Sequence, residues 1–360
     1  MRRFVVFSDL HLHPWAYGSQ TLNGKNSRLE QQKEVVKSIA KYCKERDIPE
    51  VVFTGDLFHT STVSAETSIA AYEAFSAFKA NGIDLSLLVG NHDQSSRTGG
   101  FHSLSFFREL GTVFDVERHA AEAPRRSIAG LPAYFFPYTD DESVLKAYLA
   151  SCEGEPYFLF LHQGVSGIEV NSKGFTLNEI LTPAMVPSSC VMAFTGHYHS
   201  FKQVSNNLII PGSTVQLNKG DAGESRGWLD IAVEGDRVVD ITFVESQASK
   251  FIILHEDDLA NSSEKPLPDF SNNFVIVRST GNYSPEELSV AALKMGAVST
   301  EISPMHKTDT TTKISNIKVA SLSEVFYSFA AAKERAGLIS SYDKEVGEQL
   351  LRDTYQVPQV

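Results

Sequence analysis

A chain of 360 residues, 42% hydrophobic and 21% charged, has room for two domains and excludes disordered, collagen-like and coiled-coil architectures. Its 32 basic and 44 acidic residues leave a net charge of -12. That balance argues against a free-standing nucleic-acid binder, but admits one whose metal ions or partner supply the positive field.

The first apolar run, residues 4–7, has strand length and is too short for the core of a secretory leader. It ends at a polar cluster that holds Asp9 and His11, and cleavage there would remove the chemistry argued below. Leu29, Val36, Ile39, Ala40 and Cys43 recur at helical spacing and predict an amphipathic helix over residues 28–46. Residues 51–53 predict a strand that ends at Gly55-Asp56. Ser64 is placed to cap a helix that runs to about residue 80 and stops at Gly82. Residues 85–89 predict a third strand, ending at Gly90-Asn91-His92-Asp93. Residues 157–161 lead into His162, and 191–194 lead to Gly196-His197-Tyr198-His199. Strands alternating with helices predict a layered α/β domain over residues 1–245.

From residue 246 Ser, Thr and Asn become more frequent, and Lys265-Pro266-Leu267-Pro268 reads as a connector. A strand at 274–277 and a helix near 284–295 predict a small α+β unit over residues 246–310. Thr308 to Thr312 reads as a link. In residues 311–360 two amphipathic helices are expected. One carries Leu322, Val325, Phe326, Phe329 and Ala330, and Gly337 breaks it. The other carries Tyr342, Val346, Leu350 and Leu351. Cys43, Cys152 and Cys190 are scattered and fit buried thiols in a reducing compartment. No apolar run approaches the about 20 residues that span a bilayer, so a cytosolic chain without membrane contact is expected.

Seven of the 11 histidines sit in the polar clusters: His11, His13, His59, His92, His162, His197 and His199. Imidazole, carboxylate and carboxamide oxygen are the usual ligands of borderline-hard divalent metals. Taken singly, each cluster has an ordinary reading: Asp-x-His as a strand-to-loop junction, Gly-Asn-His-Asp as a turn, His162 as a satisfied core histidine, His13 as a loop residue. Five such clusters in order, each after a predicted strand, point instead to one centre. Alternate residues of a strand face the same side, so Asp9 with His11, and His197 with His199, can share it. The carboxyl ends of strands are where open α/β sheets bind ligands.

The ordered set Asp9-Leu10-His11, Gly55-Asp56, Gly90-Asn91-His92-Asp93, His162 and Gly196-His197-Tyr198-His199 resembles the calcineurin-like metallophosphoesterase superfamily over about the first 215 residues. The resemblance implies a four-layered fold, two mixed β-sheets flanked by helices, with two divalent metal ions at the strand ends. By motif, Asp9, His11 and His199 would hold one metal and Asn91, His162 and His197 the other, with Asp56 between them. His92 would contact the phosphate and assist the leaving oxygen, and Asp93 would orient it by accepting its other ring N–H.

The stretch Gly55-Asp56-Leu57-Phe58-His59 lacks the Asp-Arg-Gly of the Ser/Thr protein phosphatases. With Leu161-His162-Gln163-Gly164 and Pro211-Gly212-Ser213-Thr214 it is similar to SbcD-type nuclease subunits of double-strand-break repair complexes, including phage and bacterial members. That likeness implies a catalytic role for His59, DNA as substrate, Mn²⁺ (with Mg²⁺ as the other candidate) as the metal, and a capping domain. It also implies a homodimer, C-terminal helices that bind an SMC-like ATPase of the SbcC type, and a cytoplasmic setting (the host cytoplasm for a phage-encoded chain). Residues 13–29, 94–108 and 198–220 contain no Asp or Glu, and all flank metal motifs. They nominate Lys25, Arg28, Arg97 and Lys202 as DNA contacts, with Trp15 and Tyr17 as stacking or core residues. The alternatives are a stand-alone phosphoesterase on a small or lipid-linked phosphate, and a scaffold without catalysis. His59 and the C-terminal helices disfavour the first, and the complete ligand set disfavours the second.

Overall fold

The computed structural model describes residues 1–19, 21–22, 24–95, 101–115, 125–152, 156–169, 176–261 and 266–305. The expected C-terminal link and both C-terminal helices lie outside the described residues, as does Arg97. Strand β1 (Arg2–Phe7) is followed by a small hairpin, β2 (Thr21–Leu22) and β3 (Lys25–Asn26), and by α1 (Ser27–Glu45). Then come β4 (Glu50–Phe53), α2 (Ala65–Ala80), β5 (Asp84–Leu88), β6 (Thr112–Phe114), β7 (Arg125–Ile128), β8 (Leu131–Phe136) and α3 (Glu142–Ala150). β9 (Tyr157–His162), β10 (Cys190–Gly196), β11 (Lys202–Ser205), β12 (Leu208–Ile210), β13 (Gly227–Glu234) and β14 (Arg237–Glu245) complete two sheets. β15 (Phe251–His255), α4 (Glu256–Ala260), β16 (Phe274–Ser279), α5 (Pro285–Lys294) and β17 (Ser299–Pro304) form a third. All of them belong to one compact unit, Met1–Met305.

The helices begin where local chemistry places them. The Asn26 side chain accepts from the backbone N–H groups of Arg28 and Leu29 at 3.0 and 3.1 Å, and Ser64 Oγ accepts from Thr67 N at 3.2 Å. Gly82, at φ +69°, takes the left-handed turn after α2.

The first sheet runs β14-β13-β1-β4-β5-β6 and the second β11-β12-β10-β9-β8-β7, each mixing parallel and antiparallel pairs. Alternation along β1 sets the layers. Val5 and Phe7 pack with Val51, Phe53, Leu85 and Leu87 under α1 and α2. Phe4 and Val6 face Phe135, Phe158, Phe160 and Phe194 of the opposing sheet. Beyond that sheet, Tyr134, Phe136, Leu159 and Leu161 pack with Leu145 and Leu149 of α3. Helix, sheet, sheet, helix is the four-layered α/β arrangement that the resemblance implied. The third sheet departs from the expected α+β unit. Its order is β15-β16-β17 and both pairs are parallel, with α4 between the first two strands in sequence and α5 between the last two. No helix among the described residues is long and apolar enough to cross a membrane.

Candidate metal centre

β1 and β4 lie parallel, and their chains stay paired after the sheet ends. Asp9 N donates to Gly55 O at 3.0 Å, His11 N to Asp56 O at 3.1 Å and Leu12 N to Leu57 O at 2.8 Å. Asp9, His11 and Asp56 lie at φ 50°, 45° and 59°, and His197 at φ 94°. The expected strand alternation therefore does not apply to Asp9 and His11. β1 ends at Phe7, and left-handed residues turn both side chains to one side. Non-glycine residues in that region cost on the order of 1 to 3 kcal/mol each, and such strain concentrates where side chains must be aimed. The packing leaves no freedom nearby. A Cβ on Gly90 would sit 2.2 Å from Asp56 Oδ1, and one on Gly55 would sit 2.3 Å from His162 Nδ1.

The seven residues expected as ligands converge. Donor atoms of Asp9, His11 and His199 lie within 4.8 Å of one another, as do those of Asp9, Asp56 and His162. Asn91 Oδ1 lies 3.1 Å from His162 Nε2 and 3.0 Å from His197 Nδ1. Asp56 Oδ2 lies 3.6 Å from His11 Nε2 and 3.3 Å from His162 Nε2, so one carboxylate oxygen stands between the two donor sets. His197 N donates to both oxygens of Asp9, at 3.1 and 3.2 Å, which fixes that carboxylate.

Whether these groups suit a metal can be judged from their lone pairs. His162 Nδ1 lies 2.6 Å from Thr54 O and so carries the ring proton. Its Nε2 faces the oxygens of Asn91 and Asp56, where it holds a second proton without metal, and a metal ion would take that proton's place. Both ring nitrogens of His11 are buried without any hydrogen-bond partner. Bare nitrogen and oxygen lone pairs that converge in a buried pocket are what a divalent cation satisfies. Burial keeps most of the imidazoles neutral: it lowers the pKa of His11, His59 and His199 and pushes that of His197 down to about 4. His162 is the exception. Burial opposes its charge, but Asp56 pushes its pKa up to about 9.

A pH dependence follows. Without metal, His162 keeps a second proton below about pH 9. A metal ion must displace it, so binding releases a proton and tightens as pH rises, by up to about tenfold per unit. Titration calorimetry at pH 6, 7 and 8, in buffers of different ionisation enthalpy, measures both effects. A proton-independent affinity would contradict this account.

His59 and His92 sit beside the seven. Their rings are stacked with centroids 5.7 Å apart, and they lie 5.7 and 4.8 Å from the His11 ring. His92 Nδ1 lies 2.7 Å from His59 O, so it carries the proton and leaves Nε2 as the reactive edge. The expected role of Asp93 is corrected here, because its carboxylate is not the partner of the His92 ring. It accepts from the backbone N–H groups of Asp56, Leu57, Phe58 and Gly90 at 3.0 to 3.3 Å, and so holds the two metal-motif loops together.

The expected DNA contacts divide. Lys25 is exposed, 3.9 Å from Glu30, and Lys202 is partly exposed at the start of β11. Arg28 is a correction. It is 3% exposed, with its guanidinium among Trp15, Tyr17, Phe251 and Phe274, and offers no surface to a phosphate. The sequence does not single out Tyr138, whose ring stacks on His197 at 5.8 Å. It follows a strand that carries no metal motif, so nothing local marks it.

Paired sheets with imidazole, carboxamide and carboxylate donors at their strand ends define a phosphoesterase centre for divalent metals. The model of the family described as calcineurin-like phosphoesterase matches residues 2–201, more than half of the sequence, and the chain belongs to that family. It is similar to the DNA double-strand break repair protein Mre11 of Methanopyrus kandleri, 24% identical over 323 residues, which covers 82% of this chain and 68% of that protein. It is also similar to the SbcD subunit of the SbcCD nuclease of Staphylococcus epidermidis, 22% identical over 275 residues, 69% of this chain and 72% of that one. Among solved structures, a dimetal phosphatase from Danio rerio aligns with a TM-score of 0.39 at 11% identity, covering 68% of this chain and 97% of that one.

Proposed function

We propose that the chain is a two-metal DNA nuclease subunit that hydrolyses phosphodiester bonds during DNA end processing, together with an SMC-like ATPase. The observation that carries the two-metal part is Asp56 Oδ2, placed between the His11 and His162 nitrogens. The relatives, a DNA double-strand break repair protein and a nuclease subunit, support DNA as the substrate.

In this reading Asp9, His11 and His199 would hold one ion and Asn91, His162 and His197 the other, with the Asp56 carboxylate shared by the two sets. A pair of divalent ions supplies a water of lowered pKa and stabilises charge on the attacked phosphate. The protein does the rest. His92, whose Nδ1–H donates to His59 O, would give a second proton, carried on Nε2, to the leaving oxygen. His59 stacks on it and steadies its plane, and Asp93 fixes the loops that aim Asp56 and His92. Mn²⁺ suits the mixed oxygen and nitrogen donors. Of the four nominated cations, Lys25 and Lys202 remain at the described surface to meet the backbone of a strand.

The test is hydrolysis of a labelled duplex, a labelled single strand and bis(p-nitrophenyl) phosphate with Mn²⁺, Mg²⁺ or EDTA, with and without the ATPase. Nucleotide release that needs the metal is the expected result. Turnover of the small diester with both DNAs left intact would favour a small-phosphate hydrolase. The stripes at Leu322, Val325, Phe326 and Phe329 and at Tyr342, Val346 and Leu350 are proposed to dock on the ATPase coiled coil. Truncation after Thr312 should leave a soluble nuclease that no longer co-purifies with the ATPase. Undiminished co-purification would refute that docking.

A further inference from the structure

Arg28, near the start of α1, is a deeply buried cation whose direct partners are carbonyls and rings. Its Nη2 donates to the carbonyls of Gln216 and Leu217 at 3.0 and 3.4 Å, and its Nη1 finds no acceptor. Four aromatic rings surround the guanidinium, with centroids at 4.9 Å (Tyr17), 5.1 Å (Phe274), 5.4 Å (Phe251) and 5.7 Å (Trp15). Cation–π attraction strengthens when both groups are desolvated, so the rings share this charge with the two carbonyls, the Tyr17 hydroxyl and the field of Asp221.

The rings come from two places. Phe251 and Phe274 open β15 and β16 and are paired across that sheet. Trp15 and Tyr17 belong to the loop that follows His11 and His13. That loop is fixed from below: Asn26, the cap of α1, donates its side-chain N–H to Trp15 O at 2.9 Å, and Tyr17 Oη donates to Leu217 O. The Trp15 ring lies 4.5 Å from His59 and 4.9 Å from His13. A continuous set of contacts thus runs from Phe251 and Phe274 through Arg28 and Trp15 to His59, and from His59 to His92.

We infer that Arg28 is a positioning residue, which fixes Trp15, and through it the His59 imidazole, against a platform made by the first residues of β15 and β16. The inference rests on the reading of His59 as part of the hydrolytic site. The plane of the guanidinium matters as much as its charge, because only a flat cation can stack among several rings and still reach two carbonyls. Lysine keeps the charge and loses the stack. Phe274 reaches the site through Arg28 and also by way of Phe251 and Tyr17, and both routes converge on Trp15.

The experiment uses the full chain with Trp228→Phe, which leaves Trp15 as the sole tryptophan of the two. In that background Arg28→Lys, Phe274→Leu, Phe274→Tyr and His59→Ala are compared. The readouts are kcat and KM for bis(p-nitrophenyl) phosphate with Mn²⁺, bound metal per chain, and the Trp15 emission maximum. Small displacements of a catalytic group cost up to about 100-fold in rate. Arg28→Lys and Phe274→Leu are expected to lower kcat by about 5- to 100-fold on that scale, with KM and metal content near their starting values. Both should shift Trp15 emission to longer wavelength, and Phe274→Tyr should restore both signals. An unchanged kcat in Phe274→Leu, beside an inactive His59→Ala, overturns this inference and leaves the proposed function standing. A fall in kcat with Trp15 emission unmoved also overturns it, since the route runs through that ring. Full activity in His59→Ala removes the role of His59 and this inference with it. If Arg28→Lys does not fold, Phe274→Leu carries the test.

Discussion

Asp56→Ala is expected to abolish metal-dependent phosphodiester hydrolysis, by at least about 10³-fold, because one carboxylate serves both halves of the site. Its Oδ2 stands 3.6 Å from His11 Nε2 and 3.3 Å from His162 Nε2, and its Oδ1 accepts from His92 N at 2.9 Å. Removing it loosens both donor sets and frees the loop that carries His92. Asp56→Asn is the milder control, since its carbonyl oxygen can still accept from His92 N. Circular dichroism should show an intact fold in both variants, and mass spectrometry fewer than two metal ions per chain. If either purified variant kept most of its Mn²⁺-dependent turnover, Asp56 would not be the bridge.

His92→Ala separates chemistry from metal binding. Its Nδ1 is engaged by His59 O, its backbone N–H alone contacts Asp56, and its Nε2 is left to act on substrate. The variant should bind two ions and lose about 10² to 10⁴ in kcat, the usual cost of removing a general acid or charge-stabilising group. His59→Ala should likewise keep both ions. Loss of one ion in either variant would move that histidine into the ligand set, for which the close donor atoms of His11, His59 and His92 provide the geometry.

These two variants probe residues that the sequence could nominate, because strand-end chemistry is a local signal. An apolar run followed by Asp-x-His or Gly-Asn-His-Asp carries both the strand and the cluster. Asn26 and Ser64 cap helices within three residues of themselves. What the sequence hides is long-range. Arg28 reads as a free cation in an acid-free stretch, and only the arrival of Phe251 and Phe274 from the third sheet buries it. Asp93 reads as a partner for the neighbouring histidine, but its bonds go to the backbone of residues 56–58 on another loop. β7 and β8 escape notice for a different reason. β7 is a short edge strand that begins Arg125-Arg126, and β8 has Pro132 near its start, so neither shows a plain strand pattern. The parallel order of β15 to β17 is set by crossovers that no single segment records.

The most direct measurement is anomalous diffraction from crystals grown with Mn²⁺. Two peaks per chain are expected, one among Asp9, His11 and His199 and one among Asn91, His162 and His197, with Asp56 touching both. A single peak, or one seated among His11, His59 and His92 instead, would contradict that arrangement.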